Sequence, residues 1–312
     1  MAAMPIAMCF TRPGPPDVLR PCLVDVPEPG AGEVRVRVRA AGVQPADVAV
    51  RATGWAPPGV TLPSPVVPGN ELAGVVDAVG ADVTAFAAGD EVLGFRTLGC
   101  YAEQALVPAD QLARKPARVP WEAAGALSAS GQTADTALEA LAVARGDTLL
   151  LHAAAGGVGT IAVQLAVRAG ATVVATASRR NHAYLRSLGP EGTIFPVEHG
   201  PGLVERVRAV APHGVDVALD AAGRGAVEAS VELVADRARI GTLVDFAAPD
   251  RLGVRALRSQ RSAARLSWLV AMVDEGALRV HVEESFPLDR AADAHALVEE
   301  GHVRGKIVLT AG

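Results

Sequence analysis

The sequence predicts an α/β protein in which a β-rich domain precedes a doubly wound parallel sheet. Three observations carry this. Residues 33–40 (EVRVRVRA) alternate strictly between apolar and charged side chains, as a strand with one wet face does. Residues 146–178 (GDTLLLHAAAGGVGTIAVQLAVRAGATVVATAS) read as strand, glycine turn, helix and strand. Beyond them, short β-branched runs keep alternating with helical ones, which is the pattern of a parallel sheet.

In chain order, residues 5–10 and 22–26 are short apolar runs read as strands, followed by the alternating strand at 33–40. Runs at 73–79, 91–94 and 101–107 continue the pattern, with GAD and AAGD as turns. Near Pro120 the character changes, and residues 121–144 carry Ala and Leu at helical spacing. Thr148 to Leu151 is then a strand, a helix runs up to Gly170, and 171–177 is the next strand. Helices are expected at 181–188, 203–211 and 225–234, with strands at 215–219, 240–246 and 252–257. Residues 262–274 form a helix, and 280–283, 291–300 and 307–309 make strand, helix and strand. The expected domains are therefore 1–120, 121–258 and a tail, 259–312, that is too long for the sheet alone and returns to the first domain. At 312 residues the chain can bury on the order of 75% of its unfolded surface.

The turn of the strand–helix–strand unit carries Gly156, Gly157 and Gly159. Glycine suits a site where a dinucleotide pyrophosphate must approach the backbone, since a Cβ would block it. Amides opening the following helix, at Thr160, are expected to face the phosphates, with the helix dipole favouring the anion. NAD-binding units place an Asp or Glu roughly 20 residues beyond the glycines to hold the ribose hydroxyls. Here Ser178, Arg179 and Arg180 stand in that place, and residues 171–190 hold no carboxylate. A hydroxyl beside guanidiniums suits a 2′-phosphate, which a carboxylate would repel, so the expected cofactor is NADPH.

Half of the residues are hydrophobic and only 4% aromatic, so the cores are built from Ala, Val and Leu. A net charge of −5 with dispersed arginines gives no basic field for nucleic acid or a membrane, and neither partner is expected. Cys9, Cys22 and Cys100 show no CxxC pair or matching histidine spacing, so neither a disulfide nor a zinc site is expected. Cys100 reads as a small buried residue. The N-terminal MAAMPIAMCFTRPGPPD has no basic start and a short apolar run, which fits a signal peptide poorly, so the expected location is cytoplasmic. The uncharged run 148–167 is long enough for a bilayer, but its glycines, His152 and Gln164 argue for a buried strand and helix.

A series of segments in order resembles the medium-chain dehydrogenase/reductases, and within them the zinc-independent quinone oxidoreductase or zeta-crystallin-like branch. These are GPPDVLR (14–20), PEPGAGEVRVRVRAAGVQPAD (27–47), VPGNELAGVVDAVG (67–80), FAAGDEVLGF (86–95), YAE (101–103) and GQTA (131–134), then HAAAGGVG (152–159), SLG (187–189), DAAG (220–223) and GKIVL (305–309). The resemblance implies a GroES-like β-rich domain completed by the tail, a Rossmann domain between, an active site in the cleft, and a homodimer. It implies cofactor contacts at Ala155, Gly156, Gly157, Val158 and Gly159, and at Asp220 and Ala221, beside Ser178, Arg179 and Arg180. Lys306 of GKIVL is a further cofactor candidate, although a lysine before a final strand also reads as a surface charge.

Zinc members carry a Cys near residues 43–47 and a His in GHE; here the chain reads VQPAD and GNE, and no metal ligand is expected. Without a metal, the chemistry left is hydride transfer to an electron-poor acceptor, a quinone or enone, with the protein supplying position and hydrogen bonds. Gln44 replaces the branch's Asn and Ala49 its Tyr, so Gln44 is the candidate donor to the acceptor carbonyl and no proton donor is evident. Asp47 is the nearest ionisable group, and equally a helix-capping carboxylate. Thr133 matches a threonine beside the nicotinamide, and equally reads as a helix cap. Arg255, Arg258, Arg261 and Arg265 recur at roughly helical spacing, as a solvated face or a site for an anionic thioester partner. Two other functions follow from these departures: an enoyl-thioester reductase of secondary metabolism, and an NADPH-binding protein that has lost turnover.

Overall fold

The computed structural model describes residues 4–312, so the first three residues of the N-terminal stretch discussed above lie outside the described residues. In chain order the elements are β1 (Ile6–Cys9), β2 (Arg20–Leu23), β3 (Glu33–Val43), α1 (Pro45–Thr53), β4 (Glu71–Val79), β5 (Glu91–Phe95), β6 (Gln104–Pro108), β7 (Leu112–Arg114), α2 (Trp121–Gly125) and α3 (Ser128–Ala140). Then come β8 (Thr148–Leu151), α4 (Gly157–Ala169), β9 (Thr172–Thr176), α5 (His182–Arg186), β10 (Ile194–Val197), α6 (Leu203–Val210), β11 (Val217–Asp220), α7 (Ala226–Leu233), β12 (Ile240–Thr242), α8 (Ala248–Leu252) and β13 (Arg255–Ala256). Last are α9 (Ala263–Asp274), β14 (Val282–Pro287), α10 (Ala291–Glu299) and β15 (Lys306–Thr310). Two compact units result among the described residues, one made of the chain up to Ala129 with Arg261–Gly312, the other of Ser130–Gln260.

The first unit is built on β3. Its alternation holds: Val34, Val36 and Val38 are buried, while Arg35 pairs with Asp77 at 2.8 Å. The sheet runs β14-β15-β3-β4-β5-β7, with β6 also on β3. The tail enters this sheet, with β15 antiparallel to β3 and Ile307 opposite Val43. β3 thus ends in the sheet interior and delivers Gln44 to the start of α1. Tyr101 is fully buried in the loop before β6, so the strand expected from residue 101 begins three residues later. Cys9 and Cys22 form a disulfide between β1 and β2, Cα atoms 6.1 Å apart, against the expectation of none. The antiparallel pairing that brings them together is not visible in their spacing. Cys100 is free and buried, and its thiol is pushed up to about 12 by burial.

The second unit is a six-stranded, wholly parallel sheet in the order β10-β9-β8-β11-β12-β13. Renumbered within the unit this is 3-2-1-4-5-6, the doubly wound order of the Rossmann fold. β10 has no counterpart in the sequence reading, because Pro196 sits inside it and a proline counts against a strand. The strand lies at the sheet edge, where a missing amide costs no ladder bond. The strand expected at 240–246 stops at Thr242, and the one expected at 252–257 is the end of α8 followed by the short β13. The four arginines do not share a helix face: Arg255 is in β13, Arg258 and Arg261 follow it, and only Arg265 is in α9. Among the described residues no helix is long and apolar enough to cross a membrane.

Candidate active site and cofactor turn

In the second unit the turn after β8 is tied to the end of β9: Ala154 donates its amide to the Thr176 carbonyl at 3.0 Å, and Ala153 donates to Thr176 Oγ1 at 3.3 Å. Gly156 caps α4 in an extended conformation and accepts the Thr160 amide at 2.8 Å. The helix opens three residues earlier than the sequence reading placed it. The amides without intrahelical acceptors are therefore those of Gly157, Val158 and Gly159, while that of Thr160 is spent. A Cβ on Gly159 would stand 2.3 Å from the Ala153 carbonyl and 2.6 Å from Ala154 Cα, so this glycine lets the helix close onto the turn. A Cβ on Gly156 would meet nothing nearer than the Ala153 carbonyl at 3.4 Å. The space beside the turn is thus not claimed by the chain itself, and the residues fit a pyrophosphate cradle.

Ser178 follows β9, half-buried, and its hydroxyl accepts from Asn181 Nδ2 at 3.3 Å. Arg179 and Arg180 next to it are exposed. Tyr184 reaches back to α4, its hydroxyl 3.1 Å from Thr160 Oγ1. Asp220 ends β11 fully buried: Oδ1 accepts the amides of Ala222 at 2.7 Å and Gly223 at 2.8 Å, and Oδ2 accepts the Thr242 hydroxyl at 2.8 Å. Its carboxylate is spent on folding the turn that presents Ala221. His152 is buried against Ser230 Oγ at 2.9 Å, and burial pulls its pKa down to about 4. Thr133 is half-buried in the interior of α3, so it is not a helix cap.

The first unit gathers a buried polar cluster around Gln44. Asp47, in the first turn of α1, accepts the Gln44 amide at 2.9 Å, which is the capping role. It also accepts from Asn70 Nδ2 at 3.1 Å and from the Tyr101 hydroxyl at 3.2 Å. Burial pushes its pKa up to about 6, against the opposing hydrogen bonds from Gln44 and Asn70. Tyr101 in turn lies 3.2 Å from His295 Nε2, and burial beside Arg51 pulls that imidazole down to about 3. Ala49 is half-buried on α1.

The Gln44 side chain donates through Nε2 to Glu71 Oε1. Glu71 is wholly buried, and it pairs with Lys306 Nζ at 3.1 Å and accepts the Ala129 amide at 2.6 Å. It fits because residue 42 is glycine: a Cβ there would fall 2.0 Å from Glu71 Oε1. Lys306 is only 4% exposed and also donates to the Val43 carbonyl at 3.2 Å, so the surface-charge reading is wrong for it. β15 carries it into the sheet beside the end of β3. Sequence reasoning missed Glu71, Asn70 and His295 as members of the site, and singled out Arg261 only as one of a row of four arginines on an expected helix face. A glutamate opening an apolar run (ELAGVV) was the one available signal, and its partners are remote in sequence.

The residues do not fit a catalytic zinc. Among the described residues no group of three His, Cys, Asp or Glu side chains is placed to hold a metal ion. Asn70 stands where zinc members keep a histidine, and it already binds the cationic Arg261 through its carbonyl at 3.2 Å.

Residues 30–117 match the alcohol dehydrogenase GroES-like domain, and residues 197–309 match the model described as zinc-binding dehydrogenase. A quinone oxidoreductase of Pseudomonas aeruginosa is 31% identical, covering 96% of this chain and 98% of that protein. A 2-haloacrylate reductase of Burkholderia sp is 34% identical over 98% and 99%. Erythronolide synthase EryA2 of Saccharopolyspora erythraea is 36% identical over 92% of this chain. The chain spans only 8% of that synthase, and 5% and 8% of two further polyketide synthases. Among solved structures, the quinone oxidoreductase from Coxiella burnetii superposes with a TM-score of 0.87 at 30% identity, covering 99% and 100% of the two chains. The Escherichia coli quinone oxidoreductase complexed with NADPH gives 0.85 at 26%, over 98% and 100%.

Proposed function

Because the chain belongs to the zinc-independent quinone oxidoreductase family of medium-chain dehydrogenase/reductases, we propose that it is an NADPH-dependent reductase of quinones or α,β-unsaturated carbonyls. The observation that carries the cofactor choice is the sequence Ser178-Arg179-Arg180 at the end of β9, the strand to which the glycine turn is tied. When bound, NADPH supplies a hydride to the electron-poor carbon of the acceptor. The pyrophosphate would rest on the amides of Gly157, Val158 and Gly159, with Ala155 and Gly156 beside it, and the 2′-phosphate on Ser178, Arg179 and Arg180. Ala221 and Thr133 are assigned to the nicotinamide side on the family likeness, and Lys306 holds Glu71, the partner of the Gln44 side chain.

Gln44 has two N–H groups on Nε2, and one is committed to Glu71. That bond fixes the amide plane and leaves the other N–H for the acceptor oxygen, where negative charge develops as hydride arrives. A well-placed donor of this kind is worth roughly 2–4 kcal/mol. Asp47 holds the backbone at Gln44 and stays out of the proton path; solvent protonates the product. The acceptor is a small molecule, and a homodimer is inferred from the family likeness alone.

The test is NADPH and NADH oxidation by the purified protein against a panel of quinones and enones. NADPH is expected to be favoured, and Arg179→Gln with Arg180→Gln should raise KM for NADPH roughly 10-fold or more while barely moving that for NADH. Equal use of both nucleotides by the unaltered protein rules out the 2′-phosphate assignment, and no turnover with any acceptor rules out the reductase. The likeness to polyketide synthases favours a second reading, an enoyl-thioester reductase; crotonyl thioesters turned over faster than any quinone would select it.

A further inference from the structure

Arg261 belongs to the polar cluster of the first unit. Its Nη1 donates to the Asn70 carbonyl at 3.2 Å and to Asn70 Oδ1 at 3.4 Å, and its guanidinium carbon lies 4.9 Å from the centroid of the Phe95 ring. These contacts set the plane of the group and use one nitrogen. What they leave is the Nε and Nη2 edge, the fork that a planar carboxylate matches with two parallel hydrogen bonds.

Among the described residues Arg261 forms no ion pair, although two carboxylates lie in the same cluster. Both are committed. Glu71 serves Lys306, Gln44 and the Ala129 amide. Asp47 serves the Gln44 amide, Asn70 and Tyr101. Burial pulls the guanidinium's pKa below its ordinary value, and the more distant Glu71, Cys100 and Asp47 oppose that. A partly desolvated cation without its own anion is costly to keep unless a ligand supplies the anion. Asn70 links Arg261 to Asp47, and Asp47 links to Gln44, so this cation shares a hydrogen-bonded network with the side chain assigned to the acceptor oxygen.

We propose that Arg261 binds an anionic group of the acceptor, and that the acceptor is an electron-poor alkene or quinone carrying a carboxylate. The acceptor half of this rests on the reductase reading; the anion site does not. A carboxylate is preferred to a phosphate because the open edge offers one planar fork, which two carboxylate oxygens match.

The test uses two probes with the same reacting enone, trans-3-benzoylacrylate and its methyl ester, and a saturated analogue, 3-benzoylpropionate. The ratio of kcat/KM for acid over ester is expected to fall roughly 10- to 100-fold in Arg261→Gln. Arg261→Lys should recover only part of it, because an ammonium lacks the fork. Calorimetric binding of 3-benzoylpropionate should weaken in Arg261→Gln by a similar factor. Should neither enone be reduced while this binding difference persists, the reductase reading falls and the anion site stands. An unchanged ratio with unchanged binding overturns the proposal, as does a rise in KM for NADPH in Arg261→Gln, which would assign the arginine to the cofactor. Inhibition by CoA that disappears in Arg261→Gln would make the anion a phosphate and overturn the carboxylate.

Discussion

Asp47 shows how one side chain serves the fold and the site together. It caps α1, receives Asn70 and Tyr101, and is held near a pKa of about 6 by burial. The folded pKa lies above the unfolded value, so the folded state binds more protons between about pH 4 and pH 6 and loses stability as pH rises through that window. Asp47→Asn removes the titration and keeps an acceptor for the Gln44 amide. Relative to this variant, the unaltered protein should lose roughly 2 kcal/mol between pH 4 and pH 7.5 in urea titrations; parallel curves for the two proteins would show that the carboxyl ionises freely. The capping role was legible from the sequence, since an acidic residue after Pro45 suits a helix start. The raised pKa was not, because it depends on Tyr101 and Asn70 closing over the carboxylate.

At the scale of elements, the glycine turn and α4 behave as one piece. Gly159 is the tight position, with its missing Cβ replaced by the Ala153 carbonyl and Ala154 Cα. Gly159→Ala therefore pushes the helix start away from the turn and misplaces the three free amides. NADPH affinity should drop by at least roughly 10-fold in a fluorescence titration, with a cost of about 1–3 kcal/mol in stability from overpacking; unaltered affinity would mean that the cofactor does not use these amides. The unit was readable because strand, turn and helix are contiguous. β10 was not, since Pro196 is excluded from a central strand but tolerated at an edge, and edge position is a property of the assembled sheet. The arginine spacing at 255–265 likewise suggested a helix that the chain does not form, because β13 and a connector interrupt it.

For the whole molecule, each unit buries a histidine that sets its response to acid. His152 in the second unit and His295 in the first are buried neutral, with pKa values near 4 and 3. Each folded pKa lies below the unfolded value of about 6.5, so the stability is complete above that pH and is lost as pH falls toward the folded values. In the first unit Asp47 works in the opposite direction as it protonates, so it offsets part of the loss at His295. Lowering the pH from 7.5 to 5 should cost the His152 site roughly 2 kcal/mol. Urea midpoints for His152→Gln should flatten accordingly, and an equally steep loss in that variant would place the acid sensitivity elsewhere. The sequence by itself determined the fold class, the glycine cradle and the missing zinc ligands, because each is written in contiguous residues with a fixed period or spacing. Only the tertiary structure decided that Glu71, Lys306, Asn70 and Arg261 surround Gln44. Those side chains come from β4 and the residue before it, from β15 and from the segment before α9, and charges so far apart in the chain meet only when the strands have paired.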